Sequence, residues 1–144
     1  RGEGTKVTVQ VFCDFANPIC NRIRVMLREL ETEFPKDLRW IYRHFPVDSN
    51  PGGRETALYA VCAHESGKCW EFFDKAFDQN APVSESVRKS IAAEIGMAEK
   101  DTLDCVNRES TKAAVDLDLN EAKALNVTAS PVIFVNGVKV NDLE

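Results

Sequence analysis

Five cysteines, Cys13, Cys20, Cys62, Cys69 and Cys105, are the residues of this sequence best suited to chemistry. An odd number leaves at least one thiol free or paired outside the chain. Cys20 closes the segment Asp14-Phe15-Ala16-Asn17-Pro18-Ile19-Cys20. Asn is a preferred helix N-cap and Pro a preferred first helical residue, so Asn17-Pro18 reads as a helix start with Cys20 in its first turn. The open N–H groups and dipole of a helix N-terminus favour a thiolate there. Asn17 offers a side-chain oxygen to those same donors. A solitary Cys20 thiol forms a mixed disulfide with a partner but cannot resolve it without a second thiol. Cys13, at the end of the preceding strand, is the nearest such thiol. Alternation places it on one face with Val7, Val9 and Val11, which reads as packed core. A Cys13–Cys20 bond is the alternative.

The other three cysteines lie in a helical stretch. Cys62 falls on an apolar helix face and Cys105 sits near Leu103 and Val106. A structural Cys62–Cys105 bridge is the first choice; Cys69 replacing either partner, or three unpaired core thiols, are the alternatives. The cysteines carry no Cys-x-x-Cys, and neither His44 nor His64 has ligand-like spacing to them, so no metal site is expected. His44 reads as a strand end, with a place in the site as the lesser alternative.

The elements that position these residues follow from periodicity. Val7, Val9 and Val11 alternate as a buried strand. Ile19, Ile23, Met26, Leu27, Leu30 and Phe34 recur at helical spacing until Pro35, and Leu38 to Phe45 reads as a second strand. Two strands joined by a helix should run parallel with a right-handed crossover. After the Asn50-Pro51-Gly52-Gly53 loop come helices carrying Ala57, Leu58, Val61 and Cys62, then Trp70, Phe73 and Phe77, then Val87, Ile91 and Ile95 behind a Ser84 cap. Gly67 and Gly96 suit helix ends. A short helix around Leu103 and Val106 and a longer one through Val115, Leu119 and Ala122 follow. The apolar run Val132–Val135, then Asn136-Gly137, predicts a hairpin returning at Val138–Val140.

The totals narrow the classes. With 144 residues, 44% apolar and 28% charged, the chain suits one globular domain, 1–144, with a helical insertion at about 53–107. A net charge of −5 and no Lys/Arg run argue against a nucleic-acid partner. No apolar stretch is long enough for a transmembrane segment. Arg1-Gly2-Glu3-Gly4 is not a signal peptide, and a cleaved one would leave no trace.

Four segments in order resemble the DsbA-like thiol–disulfide oxidoreductases. Asp14, Phe15, Pro18 and Cys20 match that family's Asp-Phe-x-Cys-Pro-x-Cys. Arg43-His44-Phe45-Pro46, Gly67-Lys68-Cys69-Trp70-Glu71, and Val127-Thr128-Ala129-Ser130-Pro131 with Phe134-Val135-Asn136-Gly137 match its later motifs. The sequence departs at Asn17, where the family has its attacking cysteine. The resemblance implies an α/β thioredoxin-like fold and a cis Pro131 facing the motif. It implies catalytic positions at Cys20 and Asn17, with substrate lined by Pro18, Ile19, Ser130 and Pro131. The backbone before the proline pairs with extended peptide. The leading expectation is a thiol–disulfide oxidoreductase or isomerase-like protein. It would act through the single Cys20 thiol on protein or glutathione mixed disulfides, with a partner protein or external thiol for turnover. It needs no bound cofactor, with glutathione as an optional co-substrate. A redox-inactive peptide-binding or chaperone-like module and a kappa-type glutathione transferase are the alternatives. The resemblance and the cysteine count point to a periplasmic or other extracytoplasmic compartment.

Overall fold

The computed structural model describes residues 1–50, 52–79 and 82–141. Pro51 of the expected Asn50–Gly53 loop, and the chain end Asp142-Leu143-Glu144, lie outside the described residues. The element order is β1 (Val7–Cys13), α1 (Pro18–Glu33), β2 (Leu38–His44), α2 (Gly53–Glu65), α3 (Cys69–Asp78), α4 (Glu85–Glu94), α5 (Glu99–Val106), α6 (Glu109–Ala124), β3 (Val132–Val135) and β4 (Val138–Lys139). They form a four-stranded sheet in the order β2-β1-β3-β4. β1 runs parallel to β2, with Cys13 opposite His44, and antiparallel to β3.

The two faces of β1 enter two cores, as the period of two requires. Val9, Val11 and Cys13 join Cys20, Ile23 and Leu27 of α1, Trp40, and Phe72, Phe73 and Phe77 of α3. Phe12 points the other way, packing edge-on to Phe134 at 6.0 Å above Ala122 and Val127. Val115 and Thr111 of α6 are fully buried as well.

Helix α1 corrects its expected stripe. Ile19, Met26 and Phe34 are exposed, at 49%, 43% and 46%, and the buried line runs Cys20–Ile23–Leu27. The line turns because Cys20 is itself apolar core, so the face shifts by one residue. Helix α6 shows the same effect: Asp118, not Leu119, lies on the buried side. Asp118 Oδ2 accepts from the His44 amide at 2.9 Å and Oδ1 lies 3.3 Å from Arg43 Nη1, which fastens α6 to the end of β2. The hairpin turn has φ of 47° at Asn136 and 80° at Gly137, the positive pair that Asn-Gly tolerates.

Candidate active site around the Cys13–Cys20 disulfide

Asn17 caps α1. Its Oδ1 accepts from the Ile19 amide at 2.9 Å, and Pro18 is the first helical residue. The turn before it is held by Asp14, whose buried carboxylate joins three segments. Oδ1 accepts from the Ala16 amide at 2.9 Å, and Oδ2 from the Val47 amide at 2.9 Å and Asn50 Nδ2 at 3.0 Å. The same carboxylate lies against Gly53 in the first turn of α2. A Cβ at Gly53 would come within 2.3 Å of Asp14 Oδ1, so this close approach requires glycine. A negative group beside a helix N-terminus is favourable. Asp14 thereby fixes the β1–α1 loop against the loop after β2.

Cys20 lies one turn into α1 and is bonded to Cys13, with the two Cα atoms 5.8 Å apart. This corrects the expectation of a solitary Cys20 thiol: it has an internal partner. Cys13 does sit on the core face of β1, but α1 covers that same face. Packing in the core and meeting Cys20 are therefore one placement, not competing ones. The sulfurs are buried, Cys13 at 1% and Cys20 at 2% exposure. Cys20 Sγ accepts from the Asp14 amide at 3.4 Å and lies 3.4 Å from Ser130 Oγ.

The Ser130–Pro131 bond is cis. Its loop closes over the start of α1, where Asn17 Nδ2 donates to the Ser130 carbonyl at 3.2 Å. The structure thus brings together Asn17, Cys20 and Ser130. Pro18 and Ile19 face outward at the helix start, and Ile19 is half exposed. At the start of α1 lies a cavity of about 180 Å³ lined by Phe15, Ala16, Asn17, Pro18, Asn21, Phe77 and Pro82.

A second disulfide joins Cys62 of α2 to Cys105 of α5. Cys69 is the remaining free thiol, and burial pushes its pKa up, partly offset by positive charge near Arg1. His44 lies across from Cys13, its ring tilted against Phe15 at 6.0 Å and edge-on to Tyr42 at 5.4 Å. Its Nδ1 has no partner among the described residues. Burial lowers its pKa from 6.5 to about 4, against the opposing pull of Asp118, so it is neutral at pH 7. No cluster of three metal-ligating side chains occurs among the described residues.

A family model described as Thioredoxin matches residues 2–144. The chain belongs to the thioredoxin family. Solved structures share its fold. A thioredoxin-like oxidoreductase from Silicibacter pomeroyi superposes with a TM-score of 0.85 at 25% identity, over 96% of this chain and 78% of that one. The thiol–disulfide exchange protein α-DsbA2 from Wolbachia pipientis gives 0.81 at 20% identity, covering 99% and 79%. Oxidised BdbD from Bacillus subtilis gives 0.81 at 20%, covering 96% and 82%. The curated relatives are of another kind. A Na⁺/H⁺ antiporter NhaA 1 from Mycolicibacterium vanbaalenii is 30% identical over 129 residues, 88% of this chain but 21% of the antiporter. An NhaA antiporter from Herminiimonas arsenicoxydans is 26% identical over 135 residues, 94% of this chain and 21% of its own. The chain spans about a fifth of the length of these relatives. No described helix is long and apolar enough to cross a membrane.

Three groups matter more to the site than their sequence signals indicate. Asp14 matches a motif in the sequence, and in the fold it organises the loop. Strand alternation puts Cys13 on the core face but does not say which helix covers that face. Asp118 was detectable in principle, since 111, 115, 118 and 122 keep helical spacing.

Proposed function

We propose that this chain is a thiol–disulfide oxidoreductase domain whose redox pair is Cys13–Cys20, in place of the family's Cys-Pro-x-Cys dithiol. The observation that carries the reading is the Cys20 sulfur itself. It is held in a disulfide at the N-terminal turn of α1, 3.4 Å from both the Asp14 amide and the Ser130 hydroxyl oxygen. A substrate thiolate attacks Cys20 Sγ, the Cys13–Cys20 bond breaks, and Cys13 leaves and takes up a proton. A second substrate thiol then attacks the mixed disulfide at the substrate sulfur and releases Cys20 as thiolate. Two substrate thiols become one disulfide and release two protons; the protein gains two electrons and one of those protons, at Cys13, and the other goes to solvent. The Asp14 N–H, the Ser130 hydroxyl and the helix dipole stabilise the Cys20 thiolate in that second step. An external disulfide or a partner protein reoxidises the pair, and glutathione is a suitable co-substrate. The substrates are thiols in protein or peptide segments that extend along Ser130 and Pro131 beside Pro18 and Ile19. Two disulfides in one chain favour an oxidising, extracytoplasmic compartment.

The second reading is a redox-silent peptide-binding module in which Cys13–Cys20 is a structural bond. The burial of both sulfurs favours it. Equilibrating the native protein in glutathione redox buffers, followed by alkylation and mass mapping, separates the two. Exchange predicts reduction at Cys13 and Cys20 without denaturant; a bond that resists until the protein unfolds leaves the binding module. Introducing Asn17→Cys should shift the bond to residues 17 and 20 and confer insulin-reducing activity.

A further inference from the structure

The Asn17 amide is engaged at both ends. Oδ1 must face the Ile19 N–H, which only donates, so Nδ2 must face the Ser130 carbonyl, which only accepts. The same Ser130 rests its Oγ 3.4 Å from Cys20 Sγ. The contacts from Asn17 to Ser130 and from Ser130 to Cys20 therefore close the loop over the sulfur, and almost none of the sulfur reaches solvent. Helix capping uses the Oδ1 contact alone. The Nδ2 contact does something else: it occupies the carbonyl that an extended peptide lying along Ser130 would use. The cavity of about 180 Å³ whose lining includes Phe15, Pro18 and Phe77 shares Asn17 with this contact, and it has room for one apolar side chain.

We propose that the Asn17 side chain is a latch on the Cys13–Cys20 bond: its Nδ2 holds the Ser130 loop closed over the sulfur, and a cysteine in an extended, apolar peptide is the thiol best matched to opening it. The peptide's N–H replaces Nδ2 on the Ser130 carbonyl, so the number of hydrogen bonds is conserved as the loop opens. A neighbouring apolar side chain enters the cavity and adds burial that a small thiol lacks. The attacking thiolate forms a bond to Cys20 Sγ, and Cys13 leaves and is protonated. This inference rests on the exchange reading above.

The test compares two single-thiol probes, 2-mercaptoethanol and a short acetylated peptide with one cysteine between leucines. Acid-quenched mass spectrometry gives the rate of mixed-disulfide formation at Cys20. The wild-type protein should prefer the peptide by about tenfold. Asn17→Ser keeps a cap oxygen but loses the amide donor, and Asn17→Asp does the same should the serine variant fold poorly. Loss of one net hydrogen bond should raise the 2-mercaptoethanol rate about fivefold. The peptide rate should rise about fivefold as well, because the same Asn17–Ser130 hydrogen bond opens for either ligand. An unchanged rate with both probes, or a rise confined to one of them, overturns the latch while leaving exchange intact. A wild-type protein that forms no adduct with either probe overturns the exchange reading and the latch with it.

Discussion

Removing the Cys62–Cys105 bond by the double substitution Cys62→Ala and Cys105→Ala should cost this protein much of its stability. The cross-link closes a segment of 43 residues between α2 and α5. The chain-entropy relation gives about 4 kcal/mol for a loop of that length at 25 °C. A domain of this size loses about 3 °C of melting temperature per kcal/mol, so the midpoint should fall by about 12 °C. The Cys13–Cys20 bond spans only 7 residues. The same relation gives it about 2.4 kcal/mol, a fall of about 7 °C for Cys13→Ala with Cys20→Ala. Thermal unfolding followed by circular dichroism, on oxidised protein in each case, measures both. The order carries the reasoning: the long loop must matter more. A larger loss from the short-loop pair, or a fall under about 4 °C for the long-loop pair, would refute the entropic account.

Two further perturbations test the frame of the site. Asp14→Ala leaves the Ala16 and Val47 amides and Asn50 Nδ2 without their acceptor, and urea unfolding should show a loss of about 3 kcal/mol; a loss below about 1 kcal/mol would mean that solvent replaces the carboxylate. His44 is neutral in the fold because burial lowers its pKa to about 4, whereas the unfolded chain restores 6.5. The unfolded state therefore binds the extra proton first as pH falls. Stability from this group is complete above pH 6.5 and drains away down to about pH 4, by about 3 kcal/mol. In His44→Gln the slope of unfolding free energy against pH should flatten within that window, and an unaltered slope would remove His44 as its source.

Much of this architecture was legible in the sequence because its signals are local. The Val7–Val11 alternation, the Asn17-Pro18 cap, the Ser84 cap and the Asn136-Gly137 turn each bind the chain to one geometry within a few residues. Asn17 Oδ1 meets Ile19 N, and Ser84 Oγ meets Val87 N, as their cap positions require. What escaped was non-local. Cys20 packs as an apolar side chain, which turns the buried face of α1 and leaves Ile19 and Met26 exposed. Pairing of Cys13 with Cys20 depends on which face of β1 the helix covers, and alternation is silent on that. Asp14 and Asp118 act through segments distant in sequence, Val47 and Asn50 in one case, Arg43 and His44 in the other. The Asn17–Ser130 contact spans 113 positions and has no local trace.

The measurement that bears most directly on the redox pair is the thiol state of the folded protein across a graded dithiothreitol or glutathione series. Cys13 and Cys20 should become alkylatable together, in native buffer, at reductant levels that leave Cys62 and Cys105 joined. Reduction of Cys13–Cys20 only when the fold melts would contradict the assignment and make that bond a strut.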